Sequence, residues 1–109
     1  MRSMTGSGSP YARFRRALAT GNLNLATAAA AELPKLNLAD AMAVLALIAT
    51  HDPARYPRAA ARWAGRLALE RPDVSLPELR LAVVALSELP ERPEVERVLH
   101  GLLSAPTRR

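Results

Sequence analysis

Four arginines recur at helical spacing in the middle of the chain. Arg55, Arg58, Arg62 and Arg66 stand at i, i+3, i+7 and i+11, so a helix would bring them to one side. A row of guanidinium groups can hold phosphates through paired N–H donors, which would suit a nucleic-acid backbone. The same row also fits a solvated helix face. The segment contains no Asn or Gln, residues that read base edges, so the nucleic-acid interpretation predicts phosphate binding without base recognition.

Side chains for catalysis or metal binding are few. The chain has two histidines, three aspartates and no cysteine, which excludes disulfides and thiolate zinc sites. His51 and Asp52 stand at a helix boundary, where the helix dipole and capping account for both. His100 follows Glu96 at the spacing of a helical i,i+4 pair. With no glycine-rich phosphate loop either, the sequence predicts no catalytic residue, no metal, no cofactor and no small-molecule ligand.

The only tryptophan, Trp63, stands beside Arg62 but belongs to a different face of the same helix. Tyr56, Ala60 and Leu67 share that face, and we expect it to be buried. Trp63 would then anchor the core. The alternative is a binding hot spot at a partner surface, where tryptophan is enriched.

The net charge is +5, with 14 arginines against one lysine. A basic balance favours nucleic acid or an anionic surface as a partner. A genome rich in G and C would produce the same bias, because Ala, Leu, Pro and Arg have GC-rich codons. Both explanations of the charge stay open at this point.

Prolines and capping residues divide the chain into six helical segments. Ser9 and Pro10 open the first and Gly21 ends it, while Ser75 and Glu78 form a capping box at the fifth. The expected helices run from Pro10 to about Gly21, from Asn22 or Asn24 to Leu33, from Asn37 to about His51, from Asp52 to about Arg71, from Ser75 to Glu88 and from Pro93 to about Leu103. Pro57 lies near the start of the fourth helix and could separate its first turn.

The composition favours helices over strands. Ala (22) and Leu (18) far outnumber Val and Ile (7 together), and no segment alternates with period two. Short connections make consecutive helices into hairpins. The predicted fold is therefore all-α, five or six short helices in stacked antiparallel hairpins over residues 10–104, between a flexible tail at residues 1–9 and a frayed tail at residues 105–109. The expected core includes Leu45, Ile48, Trp63, Leu67, Leu79, Val83 and Leu86.

A degenerate internal repeat accompanies this pattern. Residues 32–40 align with residues 70–78 at an offset of 38, and each copy is a turn, a cap and an apolar helix. One interpretation is a pair of helical-hairpin repeats. The other is that any capped helix start produces this pattern.

Several helices carry few polar residues, so six short helices cannot enclose all their apolar surface. We therefore expect a homodimer or another protein as partner, with nucleic acid as the alternative. The other interpretation is that Ala-rich surfaces are only mildly apolar and need no partner. No apolar run approaches the roughly 20 residues of a membrane span, and no secretory signal opens the chain. The sequence predicts a cytoplasmic, non-enzymatic interaction module.

Three features resemble a group of short, uncharacterised all-helical proteins from high-GC actinobacteria. They are Gly21 with Asn22 at a helix start, the apolar helix from Leu38 to Ile48, and Arg62 with Trp63. The resemblance covers roughly residues 11–104. It implies a cytoplasmic bacterial protein and a codon-bias origin for the arginines, and it assigns no activity or functional residue.

Overall fold

The computed structural model of the chain describes residues 8–104, and these residues form six α-helices. The predicted tails at residues 1–9 and 105–109 lie outside the described residues, apart from Gly8 and Ser9. The helices are α1 Pro10–Thr20, α2 Leu23–Ala30, α3 Leu38–His51, α4 Tyr56–Glu70, α5 Leu76–Glu88 and α6 Glu96–Ser104, with a 3₁₀ turn at Pro93–Val95 before α6. No strand occurs in this part of the chain, and the predicted all-α fold is confirmed.

Side-chain caps set four of the helix starts. Ser9, Asn22, Asn37 and Ser75 each accept a backbone N–H of the first turn, which would otherwise have no partner. Ser75 adds the reciprocal bond from Glu78 that completes a capping box. At the end of α1, Gly21 adopts a φ of 72°, a left-handed conformation that favours glycine.

Two of the predicted helix boundaries were wrong, the start of α4 and the end of α2. Asp52 does not open α4: its N–H donates to the carbonyl of Ile48, so it ends α3. A separate turn follows, and α4 begins only at Tyr56. Pro57 accounts for this, because it has no N–H to bond the carbonyl of Pro53 and continue a helix from there.

The other wrong boundary is the end of α2, which lies at Ala30 rather than at Leu33. The backbone N–H groups of Glu32 and Leu33 instead donate to carbonyls three residues back, as in the tighter turn of a 3₁₀-helix. Leu33 precedes Pro34, and the residue before a proline disfavours the helical conformation. The connection to α3 is therefore longer than predicted.

Consecutive helices pack against one another, and α3 lies centrally with α2, α4 and α6 around it. This position explains why α3 is apolar on almost every side. Five of the seven predicted core residues are buried: Leu45, Ile48, Trp63, Leu67 and Leu86. Leu79 is partly buried against the core, while Val83 is 51% exposed and was wrongly predicted.

Val83 is exposed because residues 81–86 of α5 are apolar on every face and only one side of the helix meets the other helices. Ala82, Ala85 and Leu86 occupy that side. A helix apolar on every face gives no periodic signal of which face packs inward. None of the helices in residues 8–104 has the length and apolar character that crossing a membrane requires.

Several long-range hydrogen bonds join the helices. Asp40, 4% exposed, accepts from the hydroxyl of Tyr11 and from Arg15, both at 2.9 Å, which ties α1 to the start of α3. The hydroxyl of Tyr56 donates to the carbonyl of Leu86 at 2.6 Å and joins α4 to α5. Arg71, directly after α4, pairs with Asp73 at 2.7 Å and donates to the carbonyl of Leu103 near the end of α6.

Candidate functional site

Helices α3 and α4 form an antiparallel hairpin. The four-residue connection at residues 52–55 joins them at one end. The indole Nε1 of Trp63, in the middle of α4, donates to the carbonyl of Leu38, the first residue of α3, at 3.0 Å. The two helices also pack against each other and present a common surface.

This surface contains a groove of about 360 Å³, which we call the α3–α4 groove. Its floor is apolar and one rim is arginine. The floor residues are Leu36, Ala41, Val44, Leu45, Ile48, Ala59 and Trp63. The rim consists of Arg55, Arg58, Arg62 and Arg66, the same four residues that the spacing had placed on one side of a helix. The structure thus brings all four to a single feature.

The two outer arginines of the rim are partly neutralised. Arg55 stands at the N-cap position of α4, 3.5 Å from a carboxylate oxygen of Asp52. Arg66 donates to Glu70 at 2.8 Å and to the carbonyl of Leu36, also at 2.8 Å. The hydrogen bond from Arg66 holds the pKa of Glu70 below its ordinary value, with Lys35 assisting through its charge.

The two central arginines are not neutralised. Arg58 and Arg62 are exposed, and neither has a hydrogen bond or ion pair with any residue of the described range 8–104. No acidic residue is among those that line the groove. Two uncompensated positive charges therefore stand side by side along an apolar floor.

Trp63 lies beneath this surface. It is 3% exposed, packs in the core and contributes to the groove floor. Its indole N–H is satisfied by the carbonyl of Leu38. The ring is therefore part of the hydrophobic core, and a ligand in the groove would pack above it.

Neither histidine is among the residues that line the groove. His51 is exposed at the end of α3, and His100 pairs with Glu96 at 3.1 Å on α6, as its spacing predicted. Among residues 8–104 no three His, Asp, Glu or Cys side chains cluster in a way that could hold a metal ion. The groove itself brings together guanidinium groups and aliphatic side chains.

The groove floor is the part of the site that sequence reasoning missed. Ala41 and Val44 on α3 face Ala59 on α4, and their small side chains leave the space between the helices unfilled. The only indication in the sequence was the small, uncharged side chains at these positions. They predict a groove only if it is known which faces of α3 and α4 meet.

A second groove of about 380 Å³ lies on the other side of α4, between α4 and α5. We call it the α4–α5 groove. Its lining is uncharged throughout: Tyr56, Pro57, Ala60, Ala61, Ala64, Val83, Leu86, Ser87 and Pro90. The exposed Val84 and Leu76 extend the apolar surface along α5.

No family model, no curated protein and no solved structure matched the chain. The resemblance to short actinobacterial helical proteins therefore stays a prediction.

Proposed function

We propose that this protein is a non-enzymatic helical interaction module that binds a segment of a partner protein in the α3–α4 groove. One observation carries the proposal: an apolar floor lies beside a rim on which Arg58 and Arg62 have no acidic partner in the described chain. A protein segment with both apolar and acidic side chains would cover the floor and neutralise the rim. Neither the floor alone nor the rim alone selects such a ligand.

Nucleic acid is the alternative ligand, supported by the four arginines of the rim. Two features favour protein over nucleic acid. The apolar floor has no counterpart in a phosphate backbone, and the only aromatic ring in the lining, that of Trp63, is buried and not available for base stacking.

The proposed function can be tested by affinity capture from the cells that produce the protein, with and without nuclease. The wild type is compared with the Arg58→Ala/Arg62→Ala double variant. A matched control removes Arg80 and Arg97, which are also exposed and without an ion pair within residues 8–104. We expect nuclease-resistant partners that are lost only with the groove variant. Partners retained equally by both double variants would contradict the proposal.

A gel-shift titration across salt concentrations tests the nucleic-acid alternative. Binding through phosphates falls steeply with salt, with a slope of about −0.9 per phosphate neutralised on duplex DNA. Replacing Arg58 or Arg62 would then flatten the slope by about one, while Arg97→Ala would leave it unchanged. We expect instead weak retardation that disappears near physiological salt and depends on no particular arginine. Tight binding at about 0.15 M salt that Arg62→Ala abolishes would favour nucleic acid.

We also propose that the module forms a homodimer through the α4–α5 groove. In a chain of charge +5, two copies repel each other, and an uncharged surface is where they approach at least cost. In a two-fold dimer, Val83 of each copy would lie in the groove of the other, beside Ala61 and Ala64.

Light scattering tests the dimer. The wild type should have a mass above 11.7 kDa, and Val83→Arg should return it to the monomer mass. Val98→Arg is the matched control, because Val98 is also exposed but belongs to α6. A wild-type monomer at every concentration would rule the dimer out.

We further propose a cytoplasmic location, supported by the absence of cysteine from the sequence. Fractionation of the producing cells with an antibody against the protein tests it. Recovery in a secreted or periplasmic fraction would contradict it.

A further inference from the structure

We infer that the α3–α4 groove takes an acidic amphipathic helix of about three turns from another protein. This inference rests on the proposed function and specifies the chemistry of the partner. It follows from three properties of the groove: its length, the spacing of its uncompensated charges and the position of its floor between two helices.

The length of the rim sets the length of the occupant. Arg55 and Arg66 bound the rim and are 11 residues apart on α4, which corresponds to about 16 Å at 1.5 Å per residue. A helix lying along this rim would therefore contact it over about three turns. A shorter segment could still meet the two central arginines but would leave part of the rim and of the floor uncovered.

The spacing of the charges sets the pattern of acidic residues. Arg58 and Arg62 are four residues apart, about 6 Å along α4, and are not engaged within the described chain. Carboxylates at i and i+4 on an adjacent helix have the same separation. One such pair would meet both free arginines. Arg55 and Arg66 have less need of a further partner, because Asp52 and Glu70 already neutralise them in part.

The floor sets the apolar pattern. Val44 and Ala59 lie on facing helices, so the floor runs between two helix axes and accepts a ridge of side chains. An amphipathic helix presents such a ridge at i, i+4 and i+7, the usual arrangement of helix-in-groove recognition. Recognition by strand addition would need a free sheet edge, and residues 8–104 contain no strand. Apolar anchors and acidic residues on one flank therefore define the partner.

A set of designed helical peptides tests this inference. The probe has leucines at i, i+4, i+7 and i+11, with a glutamate directly after each, which places the acids on one flank. One control peptide replaces the glutamates with glutamines, and another replaces the leucines with serines. Fluorescence of Trp63, the only tryptophan, reports occupation of the groove because that residue lines its floor.

The probe should bind the full chain saturably and change the Trp63 emission, and both control peptides should bind more weakly. Arg58→Ala and Arg62→Ala should each weaken the probe by up to about fivefold, the range for an exposed ion pair. The glutamine peptide should show no such loss. Arg80→Ala and Arg97→Ala should leave the affinity unchanged. Both sets of arginines are exposed, so the variants should fold like the wild type.

Four results would overturn the inference. Equal binding of the serine control would show attraction by charge alone. Tighter binding of single-stranded RNA than of the probe, with the same arginine dependence, would assign the groove to nucleic acid. A dimer lost in Arg62→Ala would assign it to a second copy. If no peptide binds while capture from cells still depends on Arg58 and Arg62, the inference fails and the proposed function stands.

Discussion

Raising the pH should weaken the contact between α4 and α5 through one group, the hydroxyl of Tyr56. This residue is 5% exposed and donates to the carbonyl of Leu86 at 2.6 Å. Burial raises the pKa of Tyr56 to about 12, from an ordinary value near 10. The folded protein therefore keeps the proton over a range of pH in which the unfolded chain releases it.

The sign and size of the effect follow from this difference in pKa. Below about pH 10 both states hold the proton, and the contribution of Tyr56 is complete. Between about pH 10 and pH 12 the unfolded chain gains stability by ionising, at about 1.4 kcal/mol per pH unit. The loss in the free energy of unfolding should total about 2–3 kcal/mol by pH 12.

The assay is denaturant unfolding followed by circular dichroism, from about pH 7 to pH 12, for the wild type and Tyr56→Phe. At neutral pH the variant loses one hydrogen bond, at a cost of about 1 kcal/mol. The carbonyl of Leu86 retains a long contact from the N–H of Leu89, at 3.4 Å, which keeps that cost modest. The variant lacks the alkaline loss, so the two stability curves should cross near about pH 11.

Tyr11 provides the control, since the chain has only two tyrosines. Its hydrogen bond to Asp40 also raises its pKa, but Tyr11 is 48% exposed. Tyr11→Phe should therefore retain the alkaline loss that belongs to Tyr56. Parallel curves for the wild type and Tyr56→Phe across this range, with no crossing, would refute the reasoning.

Four further substitutions test the packing, the backbone and a buried hydrogen-bonded contact. Leu45→Ala should cost about 2–5 kcal/mol in chemical denaturation, and less than half a kcal/mol would show that α3 is misplaced. Gly65→Ala should stabilise the fold by up to about 1 kcal/mol, because Gly65 lies within α4 and an added Cβ would meet no other atom. Gly21→Ala should destabilise it by about 1 kcal/mol, because Gly21 has a left-handed φ. Thermal melts in which both variants shift the melting temperature in the same direction would contradict this. Asp40→Ala should cost about 2–3 kcal/mol in the same denaturation assay, and an unchanged midpoint would show that α1 is held without it.

Local signals predicted the helices well. Ser75 with Glu78 predicted the start of α5, and Asn37 predicted the start of α3, because a cap acts within one turn of its own helix. The prediction failed at Asp52, which is a plausible cap for α4 by residue type. Its N–H is instead used by the last turn of α3. Asp52 could end α3 or begin α4, and its residue type alone does not decide between these two positions.

The candidate site was predicted only in part. The spacing of four arginines on α4 placed them on one side of a helix, since helical geometry is local. Which of them lack a polar partner depends on residues distant in the sequence. The carbonyl of Leu36, 30 residues away, accepts a hydrogen bond from Arg66, whereas no residue in the range 8–104 makes a hydrogen bond or ion pair with Arg58. A sequence pattern contains no information about such contacts.

The sequence by itself thus determined the all-α class, most of the helix starts and the row of arginines, because propensity, capping and helical periodicity all act over a few residues. Only the tertiary structure decided that Val83 faces solvent and that the row of arginines borders an apolar floor. The physical reason is that α3 and α5 are apolar on nearly every face. For such helices many packings bury similar area, and the choice among them rests on how the whole set of helices fits together.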